Sequence, residues 1–146
     1  MTEEKNKRLN CRFAEEVINQ GSLDAIEELC DPGVVDYAAP LEFPIGREGA
    51  KQFVTMMRSA FPDLHLTIED MIAEGDKVAM RSSWNGTHQG EFMGIPATGR
   101  RVTVSQIDIS RIADGRMVEH WGQLDALGLM QQLGVVSSPK QAGGRK

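Results

Sequence analysis

The spacing of apolar residues changes once along this chain, from a helical repeat to strict alternation, so that helices precede strands. Leu9, Phe13, Val17 and Ile18 recur at helical spacing, and Gly21 follows as a stop. Ser22 is a good N-cap for a second helix, Leu23 to Cys30, with Asp24 in its first turn facing the positive end of the dipole. Asp31-Pro32-Gly33 ends that helix. An irregular stretch rich in Pro and Ala, Val34 to Gly46, leads to a third, Glu48 to Ala60, whose apolar face is Phe53, Val54, Met57 and Ala60. Alternation begins at Leu64, with Leu66 and Ile68, and predicts a strand to Ala73. Glu74-Gly75-Asp76-Lys77 reads as a hairpin turn into Val78 to Trp84, with Val78, Met80, Ser82 and Trp84 on one face. Gly90 to Gly99 reads as a loop. Strands follow at Arg101 to Arg111 and Arg116 to Trp121, joined by a turn at Ala113-Asp114-Gly115. Asp125 is placed to cap a last helix, Ala126 to Leu133, which Gly134 terminates.

Helices followed by antiparallel strands predict an α+β domain. Three N-terminal helices would pack on a strongly curved, mostly antiparallel sheet, with a short C-terminal helix. The concave space left between sheet and helices suits a small ligand, with the Gly90 to Gly99 loop at its mouth. A length of 146 residues fits one domain, over 1–136, with a polar, glycine-rich tail expected to be disordered from 137 to 146. The net charge of −5 argues against nucleic acid and anionic membranes, which reward clustered Lys and Arg. The charged start and the lack of a long apolar run predict a cytoplasmic protein. Cys11 and Cys30 then read as buried free thiols. The three histidines lack metal-ligand spacing, so no metal site is expected.

The candidate chemistry lies in the last two strands. Val102, Val104, Gln106, Asp108 and Ser110 share one face, while Thr103, Ser105, Ile107, Ile109 and Arg111 share the other. On the next strand Val118, His120 and Gly122 oppose Met117, Glu119 and Trp121. If the first face is concave, Gln106, Asp108 and His120 converge. A carboxylate beside an imidazole in an apolar cavity fixes the tautomer and can move a proton. The same three residues also fit a solvated face, or a buried bond that merely ties two strands. His88 fits the cavity mouth or a loop contact. Trp84, Phe53 and Met56 fit a pocket wall, and Asp36 and Tyr37 a pocket rim. Several of the eight methionines would give that wall an adaptable lining.

Four segments, Gly86 to Gly94, Ile95 to Arg100, Arg111 to Arg116 and Gln131 to Gly134, resemble the SnoaL-like polyketide cyclases of the nuclear-transport-factor-type α+β cone superfamily. The resemblance implies a cone-shaped fold and a cofactor-free intramolecular aldol closure on a polyketide ester. It also implies an aspartate acid/base in an apolar pocket, with glutamine and histidine nearby. Gln106 falls on the family's pocket glutamine. Asp108 replaces its pocket histidine, and Gly122 stands where the acid/base aspartate is expected. Glycine cannot move a proton, so either Asp108 with His120 substitutes, the carboxylate having migrated across the cavity, or no cyclisation occurs. The competing readings are a hydrolase or cofactor-independent hydroxylase on the same cone, and a non-catalytic module that binds a small apolar or polyketide-like ligand. A homodimer through the outer sheet face, with Ile107 and Ile109 in contact, is the expected assembly.

Overall fold

The computed structural model describes residues 2–137. Its elements run in the order α1 (Glu3–Arg12), α2 (Leu23–Leu29), β1 (Cys30–Asp36), α3 (Arg47–Ala60), β2 (His65–Glu74), β3 (Lys77–Thr87), β4 (Arg101–Ala113), β5 (Arg116–Leu124) and α4 (Ala126–Leu133). A π-helical segment, Phe13–Asn19, continues α1 without a break. This is the expected α+β order. The N-cap readings hold: Ser22 accepts from the Ala25 N–H and Asp125 from the Gly128 N–H. Thr2 caps α1 in the same way, with Glu3 and Glu4 at its positive end. Gly134 closes α4 in the left-handed region at φ 83°.

The five strands form one sheet in the order β1-β5-β4-β3-β2. β2 to β5 form an antiparallel meander, and β1 lies parallel to β5 at the edge. Asp114 and Gly115, at φ 52° and 76°, make the two-residue turn between β4 and β5, where both central residues must take positive φ. The sheet's inner face packs against the helices through two apolar clusters. One gathers Phe61, Leu64, Leu66, Met80, Trp84, Phe92, Val102, Val104, Leu129 and Leu133. The other gathers Leu9, Val17, Ile26, Leu29, Val34, Val54, Val78, Ile112 and Met117.

Three expectations need correction. The stretch from Val34 was read as irregular, but residues 30–36 form β1, so that only 37–46 is a connection. Pro32 and Gly33 hid it: proline cannot donate to a ladder, yet an edge strand tolerates it. The second helix accordingly ends at Leu29, and Cys30 is extended. Cys11 is exposed rather than buried, whereas Cys30 is buried as expected. The expected tail lies, apart from Ser137, outside the described residues. Among the described residues, no helix is long and apolar enough to cross a membrane.

Candidate functional site

The inner face of β4 is apolar at both ends and polar in the middle. Val102 and Val104 join the first core cluster and Ile112 the second, while Gln106, Asp108 and Ser110 stand between them. Register places the partners. Asp108 pairs with Gly122 and Ser110 with His120 on β5, and Asp36 of β1 pairs with His120 from the other side. Four side chains therefore form one chain across three strands. Gln106 Nε2 donates to Asp108 Oδ2 at 2.8 Å. Asp108 Oδ1 lies 3.4 Å from His120 Nε2, and His120 Nδ1 lies 2.8 Å from Asp36 Oδ1. Asp36 is itself anchored by the Ala38 N–H at 2.9 Å.

An imidazole bonded at both nitrogens by carboxylates is suited to the imidazolium form, in which both nitrogens donate. Burial pushes the His120 imidazole down, but the hydrogen bonds to Asp108 and Asp36 outweigh it and hold it up at about 9. Burial likewise pushes the Asp36 carboxyl up, yet His120 and the backbone N–H groups of Ala38 and Ala39 hold it below its ordinary range. The cluster is not sealed. Asp108 is 7 % exposed, while the His120 side chain keeps 24 % of its surface. Partial access beside a fixed cation and a fixed carboxylate is what proton transfer to a guest requires.

Gly122 makes this arrangement possible. A Cβ at that position would stand 2.5 Å from Asp108 Oδ1 and 3.3 Å from His120 Cε1. The Asp108 carboxylate thus occupies the volume that a side chain from position 122 would fill.

Not every candidate residue joins the cluster. Tyr37 is turned to the outer face, where its ring stacks on Trp121 at 5.3 Å and its hydroxyl donates to Glu119. His88 lies just past the end of β3, eight residues from Met80, the cross-strand partner of Asp108, and is 0 % exposed. It stacks on Phe61, and its Nδ1 accepts from the Thr98 N–H. The Gly90 to Gly99 loop buries Phe92 against the same aromatic cluster, so it plugs that end of the sheet. Trp84 is buried edge-on to Phe61. Met56 packs on the first core cluster, and Phe53 lies edge-on to Phe43 in the connection after β1. The residues whose roles the pattern of the chain did not disclose are Asp36, as the second carboxylate on His120, and Gly122, as the space for the first.

Two outcomes follow from the geometry. Gly122→Ala should fold, because the atom it displaces is the end of a side chain, but Asp108 must swing away from His120. NMR titration of His120 should then give a pKa well below that of the unsubstituted protein; an unchanged pKa would refute the packing argument. The second concerns pH. A folded pKa raised above the ordinary value of 6.5 means that the fold favours the charged imidazole. That stability is fully present below about pH 6.5 and is lost as pH rises through about 9, a change on the order of 3 kcal/mol. Urea midpoints measured from pH 6 to 10 should fall over that window and flatten in His120→Gln.

Comparison with known proteins agrees with this fold. A family model for SnoaL-like polyketide cyclase matches residues 8–133. The chain is 33 % identical over 125 residues to the aklanonic acid methyl ester cyclase DnrD of Streptomyces peucetius, covering 82 % of this chain and 84 % of that one. It is 31 % identical over 127 residues to the nogalonic acid methyl ester cyclase of Streptomyces nogalater, covering 80 % and 88 %. The solved structure of TsrD from Streptomyces laurentii superposes with a TM-score of 0.86 at 32 % identity, over 93 % of this chain and 99 % of that one. From a match spanning nearly all the described residues, and from relatives of this identity and coverage, the chain belongs to the SnoaL-like polyketide cyclase family.

Proposed function

We propose that the protein closes a ring in a polyketide methyl ester by an intramolecular aldol reaction, without a cofactor. Two of its relatives are named as methyl ester cyclases of polyketide acids, and the polar cluster on the inner face supplies the acid and base. The observation that carries the reading is the Asp108 carboxylate, held by Gln106 and His120 in the space left by Gly122.

In this mechanism Asp108 takes a proton from a methylene flanked by two carbonyls. The electron pair moves onto the substrate's own oxygens and then attacks an internal carbonyl carbon. The new alkoxide recovers the proton from Asp108, so the protein ends unchanged. His120, kept cationic by Asp36, lowers the energy of the negative charge while it exists. Asp36 acts through His120 and is a positioning residue. Gln106 fixes the carboxylate's rotamer.

Purified Asp108→Asn, assayed on aklanonic acid methyl ester, should lose about 10²- to 10⁴-fold in turnover while keeping its circular dichroism and melting temperature. Full activity in that variant would remove Asp108 from the mechanism.

The assembly we propose is a homodimer through the outer sheet face. Ile72, Ala79, Ile109 and Trp121 stand in register across four strands, and Tyr37 continues the row from the end of β1. Ile72, Ile107, Ile109 and Tyr37 are all exposed, and an apolar row of this width on a sheet calls for a cover. Sedimentation at micromolar concentration should give a dimer for the unsubstituted protein and a monomer for Ile109→Lys. A monomer in both cases would eliminate the interface.

A further inference from the structure

Ser82 lies on the inner face of β3, directly across from Gln106 on β4 and Ile68 on β2. It is 1 % exposed, and its Oγ has no hydrogen-bond partner among the described residues. A hydroxyl buried without a partner is destabilising, and such a group in a folded protein calls for a cause. Its neighbours suggest one. Met80 follows two residues earlier on the same face and pairs with Met71, and Met56, Met57 and Met130 complete the same apolar cluster. Unbranched thioether side chains change rotamer at little energetic expense, so these methionines are the part of the wall, shared with Ile18, Ile68 and Ile95, that can yield to a guest.

We propose that Ser82 is a substrate-contact residue whose O–H donates to the carbonyl oxygen that becomes the enolate oxygen when Asp108 removes the neighbouring proton. The inference rests on the aldol reading above. Its geometry comes from the register: Ser82 faces Gln106 and Met80 faces Asp108, so Ser82 and Asp108 are diagonal neighbours on adjacent strands with both side chains inward. Such diagonals span roughly 7–8 Å. A base and an oxyanion donor acting on the two ends of a CH–C=O unit each need a reach of about 3 Å, with two bonds of substrate between them. The separation fits. Gln106, between the two, holds the base in place and leaves the hydroxyl free for the guest.

The test combines turnover, an enol-forming probe and stability. In Ser82→Ala, turnover of aklanonic acid methyl ester should fall about 100-fold with KM little changed, and Ser82→Thr, which keeps the hydroxyl, should recover most of it. Dibenzoylmethane, an aromatic 1,3-diketone whose enol and enolate absorb differently, should bind the unsubstituted protein with an enolate band. Ser82→Ala should weaken that binding about tenfold and shift the band's appearance to higher pH. The ligand-free alanine variant should be as stable as the unsubstituted protein or slightly more so, because an unpaired buried hydroxyl has gone. Turnover in Ser82→Ala equal to that of the unsubstituted protein overturns the proposal. So does identical behaviour of the two toward the probe, including no binding by either, and so does a destabilised variant whose activity falls only in step with its folded fraction. If the unsubstituted protein fails to turn over the ester, the cyclase reading fails, and the probe titration still decides the role of Ser82.

Discussion

An imidazole bridging two carboxylates is the interaction on which the interior of this protein turns. His120 touches Asp108 through one nitrogen and Asp36 through the other. Either carboxylate alone, Asp108 buried and Asp36 half-buried beside apolar clusters, would face a desolvation penalty that a neutral partner meets poorly. Sharing one cation between them removes most of that penalty and fixes the ring. The arrangement needs three strands at once, because Asp36 arrives on β1, His120 on β5 and Asp108 on β4. The parallel edge strand, short and interrupted by Pro32 and Gly33, is therefore essential to the site even though it adds little to the core.

The same constraint explains the division of the core. Two apolar clusters flank a polar middle on the inner face of β4, with α4 packed on the first, α1 and α2 on the second, and α3 on both. Close packing on both sides keeps the polar residues from relaxing into alternative rotamers, which preorganises a base and a cation. The methionine-rich side of that packing is the softer one, and the wall that adapts to a guest would lie there.

The acid of this cluster and the glycine opposite it form one arrangement. Here the carboxylate springs from position 108 and fills the volume that glycine leaves at 122, while an imidazole stands at 120. Because Asp108 and Gly122 are cross-strand partners, a carboxylate carried by β4 reaches the space that glycine leaves on β5.

Much of this was legible in the residues themselves. Alternation placed Gln106 and Asp108 on one face of β4, as local backbone geometry requires wherever a strand forms, and Ser22, Asp125 and Gly134 marked helix ends through hydrogen bonds made within four or five residues. The convergence of Asp108 with His120 was not fixed by the two-residue turn alone: continued from Ile112 and Met117, the pairing would set His120 against Ile109 on the outer face, and a register shift between Arg111 and Ile112 turns it inward. What the sequence could not determine is every feature that depends on chain segments far apart. Asp36 meets His120 across 84 positions, through a parallel pairing that no local pattern announces. Tyr37, one residue on, is sent to the opposite face by the period of the strand. His88, just past the end of β3, is sealed among aromatic rings by a folded-back loop. Local hydrogen bonding and periodicity are written in neighbouring residues, whereas burial and partnership are settled only when the sheet closes on its helices.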